Sequence, residues 1–133
     1  MIDRAAVPDV ADDEALARFV LQSKHFRRSN MTVKPDAFVP HPDVKLSVSR
    51  HLHATEDELW SIGQSVAREI GKTLYGRADI LASDCKRQNL AVRAAPVEEN
   101  PNHADVSGWP SDYDMQKAIA LEIAATATYV NRP

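Results

Sequence analysis

Gly108-Trp109-Pro110 constrains the fold of this chain more than any other three consecutive residues. Proline fixes φ and donates no backbone hydrogen bond, and glycine enters left-handed backbone at little cost. A large ring placed between them must be held while the chain turns. The tripeptide lies in residues 100–116, Asn-Pro-Asn-His-Ala-Asp-Val-Ser-Gly-Trp-Pro-Ser-Asp-Tyr-Asp-Met-Gln, which leads into the most apolar helical segment. Such a concentration of special residues marks a keystone of the fold, a site, or both. Ser111 stands three residues before Asp114, so a side-chain cap and a negative charge open the following helix. If Trp109 fills the core, Asn102 makes an Asx-turn and His103 bonds a loop carbonyl, and the stretch is structural. If His103 and Asp105 are exposed beside Trp109, it is a pocket. Alternation along a short strand at 104–107 puts those two on one side and Ala104 with Val106 on the other.

The rest of the chain falls into short periodic segments. Residues 1–13 are acidic and interrupted by Pro8, a flexible lead-in. Asp12 can cap a helix over 14–24, with Leu16, Phe19, Val20 and Leu21 as a partial stripe. His25 to Asn30 then reads as a cationic helix end or as a small anion-binding patch. Pro35, Pro40 and Pro42 exclude helix from 31–45, where Phe38 and Val39 anchor an extended loop. Residues 45–50 alternate as a half-buried strand, with Leu46 and Val48 on one face.

Thr55 with Glu58 three residues on is a capping box. It opens a helix to about Ile70, striped by Leu59, Ile62, Val66 and Ile70, and Gly71 ends it. A strand at 73–81, bulged at Gly76, comes next. A short helix at 83–89 follows, capped by Ser83 and ended by Asn89. Further strands are expected at 90–97 and 104–107. The final helix is expected over 112–130, with Met115, Ile119, Ile123 and Thr126 along one side. The sum is an α+β fold, a small, mainly antiparallel sheet of about four strands packed by two main helices on one face. It forms one domain over 14–133.

Composition narrows the function classes. The 133 residues carry a net charge of −3, which argues against coating nucleic acid by charge alone. No apolar run reaches the length of a membrane span, and the N-terminal residues lack a signal-peptide pattern. Cys85 is the single cysteine, so no intrachain disulfide forms and a cytoplasmic setting is expected. Neither a Walker motif nor a G-x-G-x-x-G fingerprint is present.

Three strands end alike, in Leu46-Ser-Val-Ser-Arg50, Leu74-Tyr-Gly-Arg77 and Leu90-Ala-Val-Arg93. On neighbouring strands Arg50, Arg77 and Arg93 would meet on one face and suit a phosphate or carboxylate. The plain alternative pairs each with an acid, Asp79 and Asp105 being the nearest candidates. His51 and His53 form an H-x-H, which His103, His41 and Cys85 could complete as a metal shell, although no spacing is diagnostic. The same histidines could act as acid and base on RNA. Cys85 beside Lys86 and Arg87 has no legible general base and reads as an inert thiol.

The pieces Val33-Lys-Pro-Asp-Ala-Phe38, Leu74-Tyr-Gly-Arg-Ala-Asp79, Asn100-Pro-Asn-His-Ala104, Gly108-Trp-Pro110 and Gln116-Lys117 resemble a family of small bacterial proteins of unassigned function. The resemblance spans most of the chain after residue 14 and implies a bacterial, cytoplasmic setting, with no activity and no catalytic residue attached. The first expectation is an accessory protein, not an enzyme. It would bind a protein partner or a phosphate- or carboxylate-bearing ligand through Arg50, Arg77, Arg93, His103, Asp105 and Trp109. The alternative is a metal-independent hydrolase of RNA or nucleotides using His51, His53 and His103. Nucleic acid enters only with that alternative. No metal, cofactor or membrane is expected in either case, and the alanine-rich last helix is the expected homodimer seam.

Overall fold

The computed structural model describes residues 6–40 and 44–133; His41 and Pro42, named above, lie outside the described residues, as does the start of the lead-in. In chain order the elements are β1 (Ala15–Val20), β2 (Phe26–Arg27), β3 (Thr32–Val33), β4 (Leu46–Arg50) and α1 (Glu56–Glu69). They continue as β5 (Gly76–Leu81), α2 (Ala82–Lys86), β6 (Ala91–Ala94), β7 (His103–Ser107), α3 (Tyr113–Thr126) and β8 (Thr128–Asn131), with 3-10 turns at Ser23–His25 and Pro35–Phe38. Six strands form one sheet in the order β6-β7-β4-β1-β5-β8, and β2 with β3 forms a separate ribbon. Every pairing is antiparallel.

The fold is α+β as expected, with six strands in the main sheet where about four were expected. Both additions come from segments read as helix. Residues 15–20 form the central strand, with Leu16 opposite Arg50 on one side and Ile80 on the other. Leu16, Ala17 and Val20 are fully buried. A strand covered on both faces loses its period-2 signature, and its apolar residues then fit a helical stripe just as well. Asp12 caps no helix there; its carbonyl accepts from the Ser83 N–H. At the other end α3 stops at Thr126, and Thr128-Tyr129-Val130, β-branched and aromatic, pair with β5 as an edge strand.

Alternation from this register assigns the faces. Leu16, Leu46, Val48, Ala78, Ile80, Val92, Ala104 and Val106 point one way, into a core closed by Phe38, Cys85, Trp109, Ala120 and Ile123. Ala17, Phe19 and Arg77 point the other way, toward α1. A Cβ at Gly63 of α1 would stand 2.7 Å from the Phe19 ring, so only glycine lets this helix lie so close. The two long helices therefore cover opposite faces, not one, because β1 and β5 have apolar or paired residues on both. The strand at β5 is not bulged at Gly76; its ladder to β1 is continuous. Gly76 is needed because the Tyr129 side chain of β8 occupies the space a Cβ would take.

The capping box at Thr55 and Glu58 forms with both reciprocal hydrogen bonds, each 3.1 Å. Two other caps fall one or two positions from expectation. Asp112, not Ser111, accepts from the Met115 N–H at 3.0 Å. Asp84, not Ser83, accepts from the Leu81 N–H at 2.9 Å. The lead-in is tied down over part of its length. Val10 is buried, and the Pro8 and Asp9 carbonyls accept hydrogen bonds from Arg50.

Trp109 is 6% exposed and its indole N–H donates to the Val106 carbonyl at 3.0 Å, while Gly108 takes φ +90°. The ring thus belongs to the core, and its truncation to alanine is expected to cost about 3–5 kcal/mol. Urea denaturation of Trp109→Ala and Trp109→Phe checks this, with the phenylalanine variant losing less. An unchanged midpoint for Trp109→Ala would remove the ring from the core.

Candidate functional site

The three sheet arginines do not assemble into one site. Arg50 lies opposite Leu16, on the core face, and is wholly buried. Its Nε and Nη2 donate to the two carboxylate oxygens of Glu14, and Nη1 donates to the Pro8 carbonyl at 2.7 Å. Arg77 lies opposite Phe19, on the α1 face. Its Nη1 and Nη2 fork onto Glu56 at 2.8 and 3.0 Å, its Nε donates to Asp79 at 3.0 Å, and its guanidinium stacks 4.8 Å from the Trp60 ring centroid. Burial pulls the Arg77 pKa down, but the hydrogen bonds and charges of Glu56 and Asp79 outweigh it and hold the value above the ordinary one. Arg93 is exposed and lies opposite Asp105 on the same face as Arg77. Strands β7, β4 and β1 separate it from β5, about 19 Å at the usual strand spacing. Two of the three are thus satisfied by acids, and the third is too distant to share a small anion with either.

The histidines are held by separate partners as well. His51 bonds Asp79 through Nε2 at 2.9 Å, and since a carboxylate only accepts, Nε2 carries the proton. His103, paired with Ser49, lies on the same face of the sheet as Asp79 but is held by other partners. Its Nδ1–H donates to the Ala95 carbonyl at 3.0 Å, and Nε2 stands 3.8 Å from Asp105. His53 is exposed and makes no hydrogen bond among the described residues. No group of three or more His, Cys, Asp or Glu among the described residues is placed to hold a metal ion. Cys85 is fully buried, and that burial, with the Asp84 charge, pushes its thiol up to about 12. The thiolate is therefore not accessible at neutral pH. Asn100 is buried, its amide donating to the Ser49 hydroxyl at 2.8 Å and its carbonyl oxygen accepting from the Asn102 N–H at 3.0 Å. The 100–110 stretch is thus a structural clasp with Trp109 inside it.

A concavity lies elsewhere, at the end of the sheet where β1 leaves it. There a cleft of about 400 Å³ is lined by Arg18, Gln22, Lys24, His25 and Lys72, with Asp36 the one carboxylate. Phe19, Leu21, Val39, Ile70 and Tyr113 supply its apolar wall. Arg18 differs from Arg50 and Arg77 in having no acid partner among the described residues. Its Nε and Nη1 donate to the Ala37 and Ser47 carbonyls, each at 2.9 Å, and burial lowers its pKa to about 10. The His25 ring makes no hydrogen bond among the described residues. Its pKa lies below 6.5, chiefly because of burial; Asp36 acts to raise it, and Arg18, Lys24 and Lys34 lower it further. His25 opens the cationic segment read above as a helix end or an anion patch, and Lys24 stands just before it. Arg18 escaped because its strand read as helix, and Lys72 because it follows α1 in sequence with no pattern of its own.

The network around Arg77 makes a pH prediction. Hydrogen bonding from Arg77 holds the Glu56 carboxyl below its usual 4.5, with burial acting weakly against it. Because the folded value is the lower one, the stabilisation is fully present above 4.5 and is lost as pH falls through the folded value. Glu56 is exposed, so the contribution is small. Urea midpoints of Arg77→Met, measured between about pH 6 and about pH 3, should fall less steeply than those of the parent. Parallel curves would mean that Arg77 does not hold Glu56 down.

Compared with protein-family models, curated proteins and solved structures, the chain matches none, so its function is argued from the geometry above.

Proposed function

We propose that this chain is an accessory binding module, not a catalyst, and that it holds an anionic ligand in the cleft around Arg18. The observation that supports this reading is a guanidinium without a carboxylate partner among the described residues, at the edge of a cavity that gathers three further basic side chains, Lys24, His25 and Lys72. Arg18, Lys24 and Lys72 oppose only Asp36, in a chain whose overall charge is −3. Like charges placed together raise one another's energy unless an anion joins them. Arg50 and Arg77 set the contrast, since the same fold supplies each of them with a carboxylate. His51 and His103 are bonded to separate partners, Asp79 and the Ala95 carbonyl, and neither lines this cleft, which favours binding over acid–base hydrolysis by two groups facing one cleft. The resemblance noted above suggests a bacterial cytoplasm as the setting.

Calorimetric titration with inorganic pyrophosphate at low and at high salt tests the reading. Binding should weaken as salt rises, because the lysines are exposed and screened. Arg18→Gln is expected to weaken it about tenfold and Lys72→Gln a few-fold. Binding unaffected by both changes would place the anion elsewhere, and no binding at low salt would end the proposal.

A further inference from the structure

The ligand of this cleft can be narrowed by the geometry of its donors, on the reading that the cleft holds an anion. Arg18 is pinned by two backbone carbonyls, at Nε and Nη1, so its Nε–Nη2 edge is not free to fork onto a carboxylate. Three N–H groups of the guanidinium remain for an anion, one on Nη1 and two on Nη2. With the ammoniums of Lys24 and Lys72 and the His25 ring they make a set of donors approaching from different directions. Such a set suits a tetrahedral group with several oxygens. Charge points the same way. Three cations against one carboxylate leave an excess that a phosphate monoester, at about −1.5 to −2, balances and a single carboxylate does not.

The wall opposite these donors is apolar and under-covered. Ile70 is 56% exposed and Tyr113 60%, both at the mouth of the cleft, with Phe19, Leu21 and Val39 beneath them. Large apolar side chains left open beside a charged recess fit a ligand with an apolar body attached to its anionic head. We infer that the ligand is a small phosphomonoester of an aromatic or other apolar group, its phosphate on Arg18, Lys24, His25 and Lys72 and its body against Ile70 and Tyr113. Ile70 and Tyr113 set specificity, and the cations supply the anchor. His25 acts as a reporter. A phosphate beside this half-buried ring adds to the counter-charge of Asp36 and favours its protonated form.

The experiment compares phenyl phosphate, inorganic phosphate and benzoate by calorimetry, with the His25 imidazole signals followed by NMR. Phenyl phosphate is expected to bind at least about tenfold more tightly than either of the others, the span of one buried ring against a polar head. It should also shift the His25 resonances. Ile70→Ser and Tyr113→Ser, both at exposed positions, should bring phenyl phosphate down to the level of inorganic phosphate and leave the latter unchanged. Lys72→Gln, likewise exposed, should weaken both phosphates. Equal binding of benzoate and phenyl phosphate would overturn the phosphomonoester and leave the anion site standing. Equal binding of inorganic and phenyl phosphate would overturn the apolar body. Absence of all binding, with unmoved His25 signals, would remove the anion site itself.

Discussion

A guanidinium with no exposure to water sits on the core face of the central sheet, and much of the rest is arranged to satisfy it. Desolvating Arg50 costs several kcal/mol unless every donor finds a partner. Glu14 takes two of its N–H groups, and the Pro8 and Asp9 carbonyls take others. To do so the chain before β1 must fold back over the sheet, which brings Val10 into the core and sets where β1 begins. The ion pair is thus a device of placement. Removing one partner would strand a buried charge, whereas an apolar pair of similar volume would lose the specificity of that fold-back. Arg77 plays the matching part on the opposite face, joining the first turn of α1 to β5 through Glu56 and Asp79.

Much of the architecture is legible in the sequence because its signals are local. The Thr55–Glu58 box, the left-handed Gly71 and Asn89, and the alternation of Leu46 with Val48 each depend on a few adjacent residues. What fails is non-local. The Ala15–Val20 segment carries apolar residues for both faces of a sheet, and only the presence of β4 and β5 on its two sides decides it is a strand. The same error hides Glu14 as the partner of Arg50, since on a helix it would have pointed to solvent. A repeated ending in Leu-x-x-Arg or Leu-x-x-x-Arg suggests a common face, yet parity of position relative to the register puts Arg50 and Arg77 on opposite sides.

The candidate site is legible only in fragments for a related reason. His25 opens a cationic segment, but a cleft needs walls from several elements. Here they come from the end of β1, the turn at Pro35–Phe38, the segment after α1 and the first residue of α3. No spacing rule joins Arg18 to Lys72. The sign that marks the site is an exception beside Arg50 and Arg77: Arg18 lines a cleft and bonds two carbonyls where they bond carboxylates. That exception is a property of three-dimensional pairing alone.

The strand order also governs how the chain reaches this state. Within the main sheet only β6 and β7 are joined by a short connection, while β1 must capture β4 past the whole β2–β3 ribbon and β5 past α1 as well. Loop-closure entropy is spent on both captures before the ladder returns any energy, and the Arg50 guanidinium must shed its water in the same step. Helix α1 can form early from its own caps, yet it has no sheet to rest on until those distant strands meet. Assembly of the β4-β1-β5 triplet is therefore a search across the chain that local helix propensity does little to hasten.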